Sequence, residues 1–208
     1  MRRAAAVCGL AAAAWALAVP LLGGALEPGY SHLAQYISEL GARGAMHARA
    51  VSALGFAPIG ALMLAFLAAA STQLPRVPQT VFGTTALAMV GLAYLISAVF
   101  PCDPGCPSQG SRAQAVHNLF GLLEYSGAFI GLRVLATGFR SAPAWRGLAP
   151  VTSAAAIAVA GAFIAMLSPG LVWCRGLSQR VAELAIFGWV ALVSLHLLRS
   201  DAGAAHQP

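Results

Sequence analysis

The chain contains no lysine, and only six of its 208 residues are acidic. Charged residues make up 9% of the sequence, against roughly 25% in soluble domains. That scarcity excludes an ordinary water-facing surface. All 12 basic residues are therefore arginine, and the formal net charge is +6. A basic chain invites a nucleic-acid reading. Here the arginines fall one or two per connection between apolar runs and form no basic stripe, so no nucleic-acid partner is expected. They suit membrane orientation and contact with lipid headgroups instead.

Hydrophobic residues supply 59% of the chain, and the mean hydropathy is +0.77. A membrane-spanning helix needs about 20 apolar residues. Six stretches qualify, at residues 4–26, 51–70, 80–100, 113–136, 148–167 and 181–198. They are too long and too uniformly apolar for the alternating pattern of barrel strands. The expected fold is all-α: one polytopic domain over residues 1–208, with six transmembrane helices in a bundle. The first stretch is longer than the apolar part of a signal peptide and is read as a retained helix. The leading pair Arg2 and Arg3, with a slight arginine excess in the connections of the same side, predicts cytoplasmic N- and C-termini in the cell (inner) membrane.

Polarity is concentrated in the first, third and fifth connections, which an odd number of spans places on one side. The first carries "YSHLAQYISELGA". Leu33, Tyr36, Ile37 and Leu40 have helical spacing and Gly41 is a natural stop, which predicts a short interfacial helix. The third carries "FPCDPGCPSQGSRAQAVHN". Cys102 and Cys106 flank a Pro–Gly turn, and an oxidising exterior would let them form a disulfide. A zinc set of Cys102, Cys106, Cys174 and His117 is the alternative reading, and no metal is assigned. The fifth leads into "GLSQRVAEL".

Two acids lie inside spans, Glu124 and Glu183. An ionisable group in hydrocarbon is costly and usually faces the bundle interior or a wet cavity. His117, Gly121 and Glu124 share one helix face, as do Gln179 and Glu183. Glu124 lies about 10 Å deeper than His117 at 1.5 Å per residue. The candidate pocket is therefore Ser38, Glu39, Asp103, His117, Asn118, Gln179 and Glu183, on the outer face. Each also has a plainer reading as loop decoration or as an interhelical hydrogen bond.

The stretches "YSHLAQYISELGA", "FPCDPGCP" followed by "HN", and "GLSQRVAEL" resemble the small multispan prokaryotic proteins grouped as domain-of-unknown-function family 998. The resemblance covers residues 4–198. It implies a six-helix membrane bundle, and it places Ser38, Glu39, Cys102, Asp103, Cys106 and His117 in a shared pattern. It carries over no activity. The leading expectation is action on a lipid or lipid-linked substrate, with membrane lipids as partners. A small proton-coupled transporter and a noncatalytic sensor, assembly factor or partner subunit are the alternatives. No cofactor or oligomeric state is assigned. The chain lacks an H-x3-H pair on its last span, which counts against a three-histidine zinc hydrolase.

Overall fold

A computed structural model describes residues 1–204. Six of its helices are long and apolar enough to cross a membrane, and no strand occurs among the described residues. They are α1 (Arg2–Leu26), α2 (Ala48–Ser71), α3 (Pro78–Val99), α4 (Arg112–Arg140), α5 (Ala149–Leu167) and α6 (Arg175–Ala204). Each packs mainly on its sequence neighbours, and α6 returns to pack on α1. The six helices therefore close into a ring.

Why these residues make these helices is largely a matter of size and caps. α1 buries a run of small residues, among them Ala5, Gly9, Ala12 and Ala16, at the three- and four-residue spacing of one helix face. Small residues let neighbouring backbones come close where hydrocarbon offers no hydrophobic drive for association. The α3–α4 contact is closer still. A Cβ placed on Gly131 would lie 2.8 Å from the Gly83 carbonyl oxygen. α4 starts where the Ser111 side chain accepts a hydrogen bond from the Gln114 backbone N–H, an N-cap that satisfies one of the orphan donors of a helix start.

α2 departs from regular geometry over Val51–Phe56, which is π-helical. Pro58 follows, and proline has no N–H to give the carbonyl four residues earlier. That carbonyl belongs to Leu54, and the indole N–H of Trp15 donates to it at 2.7 Å. The lost helical bond is replaced from α1, as hydrocarbon burial demands.

The outside of the ring carries large exposed aliphatic side chains, including Leu21, Leu54, Val81, Ile157, Ile164 and Leu184. A surface of that kind faces lipid rather than water. The interior is filled by Phe66, Met63, Leu87, Leu132, Leu135, Ile186 and Trp189, each nearly or fully buried.

Two element boundaries differ from the hydrophobic stretches. α4 runs on to Arg140 and α6 begins at Arg175, because a helix continues past the apolar thickness wherever its end groups find caps or water. The helix of the first connection is a short 3₁₀ turn, Ile37–Gly41. Its Ile37, Glu39 and Leu40 are buried, so the segment is tucked into the end of the ring. Gly176 at the start of α6 makes that possible: a Cβ there would meet the Gln35 backbone nitrogen at 2.8 Å.

Candidate functional site

At the end of the ring that carries the first, third and fifth connections lies a small polar cavity of about 60 Å³, room for a few water molecules. Ser38, Ser97, His117, Glu124, Gln179 and Glu183 supply its polar walls, with Tyr94 and Tyr125. α3, α4, α6 and the 3₁₀ turn each contribute.

Glu183 is the hub. Its Oε2 accepts a hydrogen bond from the Tyr94 hydroxyl at 2.9 Å, and its Oε1 accepts one from the Tyr125 hydroxyl at 2.7 Å. The Tyr125 oxygen in turn accepts from Gln179 Nε2 at 3.0 Å. Gln179 Oε1 accepts from the backbone N–H of Ile37 at 2.6 Å, which ties the turn of the first connection to the network. Glu124 lines the same cavity as Glu183. Glu124 Oε1 is buried and has no hydrogen-bond partner among the described residues. An orphan acceptor of that kind, facing a cavity, is available to a donor that enters it.

His117 sits on the same face of α4. Its Nδ1 is 3.1 Å from the Phe100 carbonyl oxygen. A carbonyl can only accept, so Nδ1 carries the hydrogen and the neutral ring keeps a lone pair on Nε2. Gly121, one turn deeper, presents no side chain: a Cβ there would meet nothing within 4 Å.

A wider cleft of about 530 Å³ adjoins the cavity and shares the walls Ser38, His117, Gly121, Tyr125 and Gln179. Its other walls are Leu122 of α4 and Phe163, Met166 and Leu167 of α5, with Arg175 among its polar groups. Arg175 is held by Glu39 at 3.2 Å and stacks 4.6 Å from the centre of the Tyr36 ring.

The sequence-derived candidates thus divide. Ser38, His117, Gln179 and Glu183 meet in one cavity, together with Glu124. Asn118 reaches only the wider cleft. Glu39 and Asp103 lie outside the cavity lining. Glu39 caps the 3₁₀ turn, accepting from the Tyr36 N–H at 2.9 Å and from Gln35 Nε2 at 3.1 Å. Asp103 accepts from the Ser111 N–H and hydroxyl at 2.7 and 2.9 Å and pairs with Arg43 at 3.4 Å. Asn118 accepts from Gln114 and donates to the Pro107 and Ser108 carbonyls. Most of the polarity of the third connection therefore stitches that connection to itself.

Cys102 and Cys106 lie at disulfide distance, with Cα atoms 5.1 Å apart. Each thereby uses the sulfur that a metal would need. His117 is close to both, its ring nitrogen within 4.8 Å of the sulfurs, whereas Cys174 keeps a free thiol bonded to the Leu171 carbonyl and does not join them. Sequence reasoning missed Tyr94 and Tyr125. The signal was available: a buried carboxylate needs donors, and these are the tyrosines that lie inside apolar spans.

The two Ser111 hydrogen bonds, more than the Arg43 charge, hold the Asp103 carboxyl below its ordinary 3.8. A depressed carboxylate contributes stability above its unfolded value and loses it as pH falls through the folded value. The third connection should accordingly loosen as pH drops below that range. Hydrogen exchange of residues 101–111 at pH 6 and pH 3 checks this, with Asp103→Asn as the pH-independent comparison. Equal protection at both pH values in the unmodified protein would show that Asp103 does not hold the connection.

Fold and surface together define an all-helical, multi-pass integral membrane protein in contact with lipid. The family described as protein of unknown function, DUF998, matches residues 10–196, and the chain belongs to that family. No curated protein and no solved structure matches it.

Proposed function

We propose that this protein binds a lipid or lipid-linked substrate at the outer face of the inner membrane and handles protons on its polar part. One observation carries the reading. The cleft that opens beside the carboxyl–histidine cavity has one polar wall and one wall of Leu122, Phe163, Met166 and Leu167, which suits a molecule with a polar head and an apolar tail. In this reading His117 Nε2 takes a proton from the bound head and the Glu124–Glu183 pair stores or returns one. Ser38 and Gln179 orient the head, and Arg175 meets negative charge at the rim. Asn118, Asp103 and Glu39 act through the shape of the connections.

A lipid carrying a photoreactive group on its head, in nanodiscs, tests this. Cross-links should concentrate on residues 117–125 and 163–167. Gly121→Phe, whose Cβ would meet nothing within 4 Å, should reduce them at least about tenfold, the effect of roughly 1.4 kcal/mol. Cross-links spread evenly over all six helices, or unchanged by the substitution, would count against the site.

The side assignment rests on the arginine bias and on the cysteine pair at this end, since disulfides persist in oxidising compartments. With Cys8 and Cys174 replaced, a cysteine at Ser108 should react with an impermeant thiol reagent on intact cells, and a cysteine at Ser141 should not. Both serines are exposed. The opposite labelling would place the cavity on the cytoplasmic side.

A further inference from the structure

A second groove, of about 500 Å³, runs down the outside of the seam between α1 and α6. It differs from the cleft in kind. Its walls are chiefly Leu10, Ala13, Leu17 and Leu21 of α1 and Leu184 and Gly188 of α6, apolar apart from Glu183 and Arg180. Small residues hollow it out: a Cβ on Gly188 would meet nothing within 4 Å. From Leu10 to Leu21 the groove follows α1 for about 17 Å at 1.5 Å per residue, close to half of a hydrocarbon core of roughly 30 Å. That is the depth of one leaflet.

One cation borders the groove at its upper end, Arg180. Its guanidinium is braced entirely by neutral groups. NH1 donates to the Gln35 and Gly176 carbonyls at 3.1 and 2.9 Å. NH2 donates to the Tyr30 hydroxyl at 2.6 Å and to His32 Nδ1 at 2.9 Å. His32 is pushed below its ordinary range by desolvation and then by the Arg180 charge, so it stays neutral and acts as the acceptor. The nearby acids are engaged elsewhere: Glu39 with Arg175 at 3.2 Å, and Glu183 with the two tyrosines. Among the described residues no carboxylate comes within ion-pair distance of Arg180. A guanidinium has five N–H donors. Four are used, and the one on Nε is left over.

We propose that this seam is a binding site for one anionic phospholipid, with its phosphate on Arg180 and one acyl chain laid along α1 and α6. Charge complementarity selects the head, because a fixed cation with neutral partners is compensated by a phosphate and gains least from a lipid that brings its own positive charge. Groove length and apolarity select the chain. Ile37 and Glu183 line both this groove and the small cavity, but the groove shares no wall with the wider cleft, and the proposal does not depend on that cleft. Arg180, Tyr30 and His32 form a rigid headgroup rest, and the lipid closes the gap that small residues leave between the first helix and the last.

The test is native mass spectrometry of the full-length protein, delipidated in detergent and then titrated with phosphatidylglycerol or phosphatidylcholine of identical chains. One phosphatidylglycerol should be retained per chain, about fivefold more tightly than phosphatidylcholine, the effect of one arginine near an anionic surface. Arg180→Gln should abolish the preference. Gly188→Leu should remove tight binding of both lipids, and inorganic phosphate alone should not protect the seam from exchange. Gly121→Phe, in the other cleft, should leave the titration unchanged, which separates this site from that one. Equal affinity for the two lipids in the unmodified protein would overturn the proposal. So would undiminished phosphatidylglycerol binding by Gly188→Leu. Arg180 also braces the first connection, so if Arg180→Gln fails to fold, the unmodified protein and Gly188→Leu still decide.

Discussion

Glu183→Ala should destabilise the protein by about 3 kcal/mol or more, measured as unfolding in mixed micelles. The substitution removes one carboxyl and strands two buried hydroxyls. The Tyr94 and Tyr125 hydroxyls lose their acceptor. Each buried polar group left unpaired costs roughly 1–3 kcal/mol. Glu183→Gln is the informative comparison. Its amide oxygen still accepts from one tyrosine, and the other hydroxyl can turn to accept from the amide nitrogen, so the cost should fall to about 1 kcal/mol. The exchange also removes an ionisable carboxyl from the cavity, and the proton handling proposed above should be lost even though the fold survives. A stability for Glu183→Ala within error of the unmodified protein would mean that the four side chains do not form the network.

Gly131→Leu should be at least as severe, and for a different reason. The new Cβ would sit 2.8 Å from the Gly83 carbonyl oxygen and 3.0 Å from the Leu87 backbone nitrogen. Neither is the loose end of a side chain, so α3 and α4 must separate. Overpacking a well-packed interior costs typically 1–3 kcal/mol, and backbone contact places this case at the top of that range, about 3 kcal/mol. Gly121→Leu on the same helix is the control. It lines the cavity, its Cβ would meet nothing within 4 Å, and it should change stability by less than about 1 kcal/mol. Comparable losses at the two glycines would contradict the different environments assigned to them.

The contrast between these glycines marks the limit of what residue spacing reveals. Gly121, Gly127 and Gly131 look equivalent in sequence, all small and all on α4. Gly127 and Gly131 press on α3, at Ala86 and Gly83, and Gly121 opens on the site. Which face meets a neighbour depends on the ring closure, and that is a property of six helices together. The six spans themselves were legible, since hydrocarbon thickness writes itself directly as run length. Glu124 and Glu183 were legible for the converse reason: an acid inside an apolar run has few places to go.

Asp103 and Asn118 show the opposite case. Both are polar, both belong to the polar stretch that contains His117, and neither reaches the cavity lining. A connection that leaves a membrane must satisfy its own backbone, and Asp103, Gln114 and Asn118 do that for residues 103–111. Polarity at a loop thus reports two demands that sequence cannot separate, local stitching and chemistry. Tyr94 and Tyr125 were hidden because tyrosine counts as apolar in a hydropathy window. Only a partner on another helix exposes the role of the hydroxyl.

The ring closure also sets an order of assembly. α1 is made first and α6 last, yet they pack side by side, the most distant pairing in sequence that the bundle contains. Contacts of long sequence separation form late, after the shorter closures between neighbours. Until α6 arrives, five helices can form an open arc in which Tyr94 and Tyr125 have no acceptor. The carboxyl of Glu183 is thus the final piece inserted. A chain cut before residue 175 would lack the site and would also expose an unfinished polar stripe to the bilayer, a ready signal by which membrane quality control can tell an incomplete molecule from a finished one.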